Sequence, residues 1–484
     1  VTPVPDTFDD PEQRYLVLVN DRGQHSLWPE FAPVPAGWRT AHGADTRDGC
    51  LAHVAAEWTD LRPAEPATPA DGPPPAARQA APAASGPVGP AEPPVPYPFG
   101  EYDGLTVDPR YADLRGRPGL LRVRPPHGDD AWLVTRHEDV RAVFTDPRFS
   151  RAATALHDES RLTPDPVHTS ILGTDPPDHT RLRRLLARAF TARRIETMRP
   201  GIRATADELI DAMVRTGPPG DIVEDYALPL TGLVICDFLG IPFADRDRFQ
   251  EWLVAFSSTT ALPPGEARER TAAMHAYIGE LVEERRRSPD EALVSQLIRV
   301  RDDSDRLSET ELVELATVLL IAGYETSAAQ LMNSVHALLE RPAQLARLRA
   351  EGVTPAAVDE LLRFVPVDAH VAFARYAVAD VELGGTLVRA GEAVLPVLPS
   401  ANRDPAVFED PDTLDLGRER NPHLGFGHGI HRCLGAALAR IEMEEGLGRL
   451  VARLPDLAEA APLEEAPWKA GMQVRSLWHL PVRW

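Results

Sequence analysis

Lysine is nearly missing from this sequence: of its 51 lysine and arginine residues, Lys469 alone is lysine. So extreme a bias reads as a coding preference, and abundant arginine by itself carries no functional meaning. Cysteine is scarce too. Cys50, Cys236 and Cys433 are too few and too scattered for a disulfide framework or an iron–sulfur cluster, and they fit a reducing compartment. The longest apolar run, Leu315 to Gly323, stops well short of the roughly 20 residues a membrane span needs. No basic stretch followed by an apolar one opens the chain. The expectation is a cytoplasmic protein with no membrane partner. Basic charge is outweighed, 51 side chains against 73 acidic ones, for a formal charge of −22. That argues against binding nucleic acid or anionic membranes.

Proline is in excess, at 48 of 484 residues. About a quarter of it lies between Pro63 and Pro98, mixed mainly with alanine, in a stretch with no aliphatic periodicity and little to bury. Such a segment cannot offset the entropy of ordering and reads as an extended, semi-rigid linker. A proline-rich recognition ligand is the other reading. Length allows about two to three domains. The linker divides the chain into a module over residues 1–64, a tether over 65–97 and a body over 98–484.

The module reads as strand, turn, strand, helix: "YLVLVN" (Tyr15–Asn20), the turn "DRG", "HSLWP" (His25–Pro29), then "DTRDGCLAHVAAEW" with Asp45 as N-cap. Trp28, Trp38 and Trp58 all fall here, more than so small a core readily hides. Core packing and partner contact remain equal readings for them. The body is mainly helical with a minor β share. Helical spacing marks Asp178–Phe190, Ile202–Val214, Glu309–Glu340, Pro355–Phe364 and Gly435–Leu454. Short strands fall at Ala131–Thr135 and between Phe373 and Leu398. Ser308 with Glu311 forms a capping-box pattern ahead of the longest helix.

The sharpest feature is "FGHGIHRCLG" (Phe426–Gly435), where Gly427, Gly429 and Gly435 surround Cys433 ahead of an amphipathic helix. Backbone N–H groups and a helix N-terminus favour the thiolate, the form that binds metal. A buried structural thiol fits this frame poorly. Gly323 interrupts the longest helix at a cost of about 1 kcal/mol, explained by a groove beside the backbone or by close helix packing. "HTRLRR" sets His179 and Arg183 on one helix side, suited to anionic groups or to an ordinary basic face. Asp368 and His370 either meet a polar substrate or face solvent.

The cysteine loop resembles the haem-binding loop of the cytochrome P450 superfamily. "AGYETS" (Ala322–Ser327), "ELLR" (Glu360–Arg363) and "ANRDP" (Ala401–Pro405) are similar to further segments of that family, in the same order. The resemblance spans Pro98 to Trp484. It implies a P450 fold and a monooxygenase using haem b, with Cys433 as axial thiolate. It places His179, Arg183, Arg375 and His431 on the haem propionates, and Gly323, Phe426 and Gly435 around the cofactor. Glu325 and Thr326 become the proton relay, and Glu360–Arg363 a buried structural pair. The chain has no cysteine set for an iron–sulfur cluster and no GxGxxG after a predicted strand. Electrons are therefore expected from a separate ferredoxin or flavodoxin.

The module resembles the MbtH-like proteins through "NDRGQHSLWP", "PAGW" and "EWTDLRP". That implies a small α+β domain with an antiparallel sheet. It further implies an adenylation domain of a nonribosomal peptide synthetase as partner, with Ser26, Leu27, Trp28 and Trp38 facing it. Joined, the two resemblances lead to the expectation of an oxygenase that hydroxylates, at Cβ, an aminoacyl group held on a carrier protein. A tailoring enzyme for released products, and an adenylation-domain activator with a degenerate oxygenase, are the alternatives.

Overall fold

A computed structural model of the chain describes residues 14–20, 25–29, 38–46, 49, 50, 53, 93–166, 171–304, 307–371 and 373–484. The chain forms two compact units, Val1–Gly89 and Pro90–Trp484.

In the first unit, β1 (Tyr15–Asn20) is the middle strand of an antiparallel sheet, between β2 (His25–Pro29) and β3 (Trp38–Asp45). The alternation of Tyr15, Val17 and Val19 buries one side of β1, and Leu18 is buried as well. The two strands expected from sequence have the bounds expected. Sequence reading missed β3, since "WRTAHGAD" has no aliphatic alternation and its pairing with β1 shifts register twice. The helix is capped by Thr46, not Asp45. Thr46 Oγ1 accepts from Gly49 N–H (3.2 Å), and Asp45 Oδ1 accepts instead from Thr46 N–H (2.7 Å). Gly49, Cys50 and His53 are helical; Trp58 and the rest of that helix lie outside the described residues.

The second unit carries a six-stranded sheet of β4 (Val95–Pro96), β5 (Leu121–Arg124), β6 (Ala131–Val134), β7 (Phe149–Ser150), β8 (Arg375–Ala377) and β9 (Ala393–Pro396). Their spatial order is β4-β5-β6-β9-β8-β7. β4 falls inside the stretch assigned to the tether. Pro96 is tolerated there because an edge strand leaves one side without ladder partners.

The helices that build the site are α1 (His137–Thr145), α2 (Asp178–Ala187), α3 (Ala192–Thr216), α4 (Leu228–Leu239), α5 (Arg246–Ser257), α6 (Glu309–Leu339), α7 (Pro355–Phe364) and α8 (Ala436–Arg453). α2 stops short of Phe190 because Thr191 caps the next helix, accepting from Arg194 N–H (3.4 Å). α3 runs straight through Pro200, where the sequence reading began a helix only afterwards. The capping box of α6 is present: Ser308 Oγ accepts from Glu311 N–H (3.2 Å), and Glu311 Oε2 accepts from Ser308 N–H (2.8 Å). α6 is long and apolar enough to cross a membrane, but its apolar residues are core: Leu312, Leu315, Leu320, Leu331 and Leu338 are all buried. Against that background Ala322 and Thr326, one turn apart, are exposed.

Candidate functional site

The cysteine loop is held from three sides. Cys433 N–H donates to Phe426 O (2.8 Å), closing the loop on itself, and Gly427 N–H donates to Leu424 O (2.8 Å). Leu424 N–H in turn donates to Asn402 Oδ1 (2.7 Å), so the "ANRDP" segment anchors the loop. Gly429 adopts φ +69°, and a Cβ there would lie 2.1 Å from the Phe144 carbonyl oxygen at the end of α1. Gly429→Ala is therefore expected to destabilise the unit by ~2–4 kcal/mol, adding left-handed strain to a backbone clash. A lowered urea-unfolding midpoint would register it.

Cys433 is exposed, yet the protein around it still withdraws water from its sulfur. Burial pushes the thiol up from its ordinary value; the Gly435 N–H and the charges of Arg183, Arg432 and Arg440 pull it back. Such a thiol gives up its proton to a strong Lewis acid and remains a thiol otherwise. Cys236 and Cys50 are buried, and burial raises both, Cys236 to about 12.

Beside the sulfur stands a cluster of cationic and imidazole groups. The His179 and His431 rings lie 4.3 Å apart between centroids. Arg183 donates to Arg432 O (2.6 Å) and Arg375 lies over Phe144 (4.7 Å). Burial, then Arg375, His179, Arg151 and Arg183, drive His431 down to about 3. Burial lowers His179 and takes Arg375 down to about 10. Arg375 Nη1 and His431 Nε2 are buried without a hydrogen-bond partner. Two orphaned nitrogens among like charges make a receptor for carboxylates, which would satisfy both and relieve the repulsion. A thiolate ligand with flanking partners for two propionates fits haem. All four residues assigned to the propionates from sequence come together here. Sequence reading missed Arg151, whose buried guanidinium pairs with Glu159 (2.8 Å) beside the cluster.

On α6, Glu325 is buried and Thr326 is open. Glu325 Oε2 accepts from Ser257 Oγ (2.7 Å) at the end of α5. Burial raises this carboxyl, while the charge of Lys469 and the Ser257 hydroxyl draw it down. Thr326 Oγ1 donates to Ala322 O. No described hydrogen bond joins the two side chains. A Cβ on Gly323 would come within 2.5 Å of Ile235 Cδ1, so this glycine permits the close approach of α4. Ser257, distant in sequence and in no motif, had no signal that could have singled it out; Lys469 stood out only as the chain's sole lysine, with nothing to tie it to Glu325.

The Glu360–Arg363 pair is fully buried and two-pronged, at 2.7 and 2.8 Å. Asp368 and His370 are half-buried. Burial pushes Asp368 up to about 6 against the pull of Arg475, and takes His370 down to about 4. Neither is a freely solvated surface group. In the first unit Ser26, Leu27 and Trp28 pair in register with Leu18, Val17 and Leu16, and Trp38 with Asn20.

Comparison with known proteins gives two family matches: "MbtH-like protein" over residues 4–70 and "Cytochrome P450" over residues 126–455. The chain is 50% identical to the nocardicin C N-oxygenase of Nocardia uniformis subsp. tsuyamanensis, over 80% of this chain and 98% of that protein. It is 48% identical to the mycinamicin IV hydroxylase/epoxidase of Micromonospora griseorubida, with the same coverage. Among solved structures, HinD with NMFT and NO matches with a TM-score of 0.80 and 60% identity, covering 81% of this chain and 99% of that one.

Proposed function

Because the chain belongs to the cytochrome P450 family, we propose that it oxidises an aminoacyl group tethered to a carrier protein during nonribosomal peptide synthesis, hydroxylating it at Cβ. At the coarser level it is a P450 monooxygenase carrying an MbtH-like domain. The observation that carries the finer reading is the union of these two families in one chain, joined by a proline- and alanine-rich segment. In this reading residues 1–64 dock on an adenylation domain through Ser26, Leu27, Trp28 and Trp38 and activate it. Residues 65–97, apart from the strand at their end, serve as tether to the oxygenase over 98–484. A tether raises the local concentration of the oxygenase at the neighbouring carrier protein without any new contact.

The family's haem-thiolate iron supplies O2 activation when reduced from outside. Cys433 holds the metal. His179, Arg183, Arg375 and His431 hold the propionates, and the open stripe of Ala322 and Thr326 leaves room beside α6 for small molecules. Glu325 delivers protons toward Thr326. Arg184, Arg188 and Arg432 are exposed and suit an acidic ferredoxin or flavodoxin.

Intact-mass measurement of aminoacyl carrier proteins after turnover tests the reading, with one added oxygen atom expected on the loaded carrier. The names of the nocardicin C and mycinamicin IV enzymes favour a second reading, oxidation of a released natural product. Oxidation of free compounds but never of the loaded carrier would decide for it.

A further inference from the structure

Glu325 is only 5% exposed, so as a relay acid it needs a proton source of its own. The hydroxyl it accepts from belongs to Ser257, whose carbonyl oxygen accepts from Gln473 N–H (2.8 Å). Thr259 N–H donates to Gly471 O (2.8 Å). The C-terminal loop is thereby stitched to the residue that holds Glu325, and that loop carries the chain's one lysine. Lys469 is buried, 7% exposed, with Nζ 4.9 Å from the centre of the Trp478 ring. Its carbonyl oxygen accepts from the Tyr102 hydroxyl. Trp478 is itself 47% exposed, so the ammonium lies one ring from solvent.

Among charges, Lys469 is the largest acting on Glu325, and Glu325 the largest acting on Lys469, with Glu224 adding to it. Burial raises the acid and lowers the ammonium, so their proton affinities converge, which lowers the cost of transfer between them. Tyr102, pushed up to about 12 by burial, lies under the buried Arg475 guanidinium (4.7 Å), with the His370 ring 6.4 Å away and Glu101 also acting on it. Arginine stays protonated near neutral pH even when buried, whereas a buried lysine can release its proton. This chain places arginine at every other cationic position.

We propose that Lys469 is the proton donor to Glu325, on the path that ends at Thr326. The Nζ ammonium passes a proton through an intervening water to the Glu325 carboxylate, leaving a neutral amine and a carboxylic acid. The amine regains its proton from solvent beside Trp478. Only N–H and O–H bonds change. The inference rests on the reading of Glu325 and Thr326 as the proton relay.

A single lysine makes the test direct. Holoenzyme grown on lysine labelled with 15N at Nζ gives one lysine signal. It is expected to titrate below the ordinary 10.5, and to fall by about one further unit in Glu325→Gln, where the carboxylate charge is gone. A signal at or above the ordinary value, or one unmoved in E325Q, overturns the proposal. Lys469→Arg keeps the charge but cannot release it. With a plant-type ferredoxin and its reductase, its NADPH consumption is expected to fall about tenfold with a larger solvent isotope effect. Its reduced CO spectrum should be retained. Consumption at the unmodified rate in K469R also overturns the proposal. Full activity in E325Q would instead remove the underlying reading of Glu325.

Discussion

Cys433→Ala is expected to abolish monooxygenase turnover and the thiolate-type Soret band of the reduced CO complex, while Cys236→Ala and Cys50→Ala keep both. The three thiols differ by environment. Cys236 sits in the apolar interior of α4, and the Cys50 sulfur donates to Tyr15 O (3.2 Å) in the first unit. Only Cys433 has guanidinium groups, those of Arg183, Arg432 and Arg440, opposing the effect of burial. Loss of its sulfur removes the one donor that can face an iron there, and nothing within the loop replaces it. The neighbouring His431 lies against the His179 ring, and burial together with the charge of Arg375 holds it neutral. The effect of C236A is confined to packing, ~1 kcal/mol for the small group lost. Absorbance of the reduced CO complex and turnover, measured on the three variants together, check the contrast. A normal Soret band in C433A would dislodge Cys433 as the metal ligand.

The legible parts of this chain are those where one residue type has one physical use. Glycines around a cysteine, a serine three residues ahead of a glutamate, and aliphatic spacing along 31 residues each point to a local structure that forms. What escaped depends on residues far apart in sequence. Ser257 meets Glu325 because the last residue of α5 reaches the side of α6, and Lys469 lies on a loop more than 140 residues further on. Pattern carries no information about such meetings. Gly323 shows a subtler limit. Its position in a helix demanded a reason, but only the 2.5 Å approach of Ile235 shows that the reason is packing. β3 escaped for the opposite cause: its alternation is polar and small, and its place is set by the backbone of β1.

Arg363→Ala is expected to cost the second unit ~3–5 kcal/mol, the price of leaving a buried carboxylate without its main counter-charge. Both side chains of the pair are fully buried, and neither serves the other alone. Arg363 also donates to the carbonyl oxygens of Asn402 (2.9 Å), Pro411 (2.7 Å) and Thr413 (3.0 Å). Glu360 accepts from Arg418 Nε (3.1 Å), Asp415 N–H (2.9 Å) and Asn421 Nδ2 (3.1 Å). The pair thus pins the irregular stretch over 402–421 against α7. Asn402 is the residue whose side chain holds Leu424 and, through it, the cysteine loop. Loss of Arg363 should therefore loosen the frame around Cys433 as well as the core. Glu360→Ala strands Arg363 and Arg418 instead and is expected to cost a similar amount. Because the two side chains act as one unit, the double variant should lose less than the sum of the single losses. Urea-unfolding midpoints of the wild type, both single variants and the double variant measure this coupling. Strict additivity would mean that each residue acts through its other partners alone.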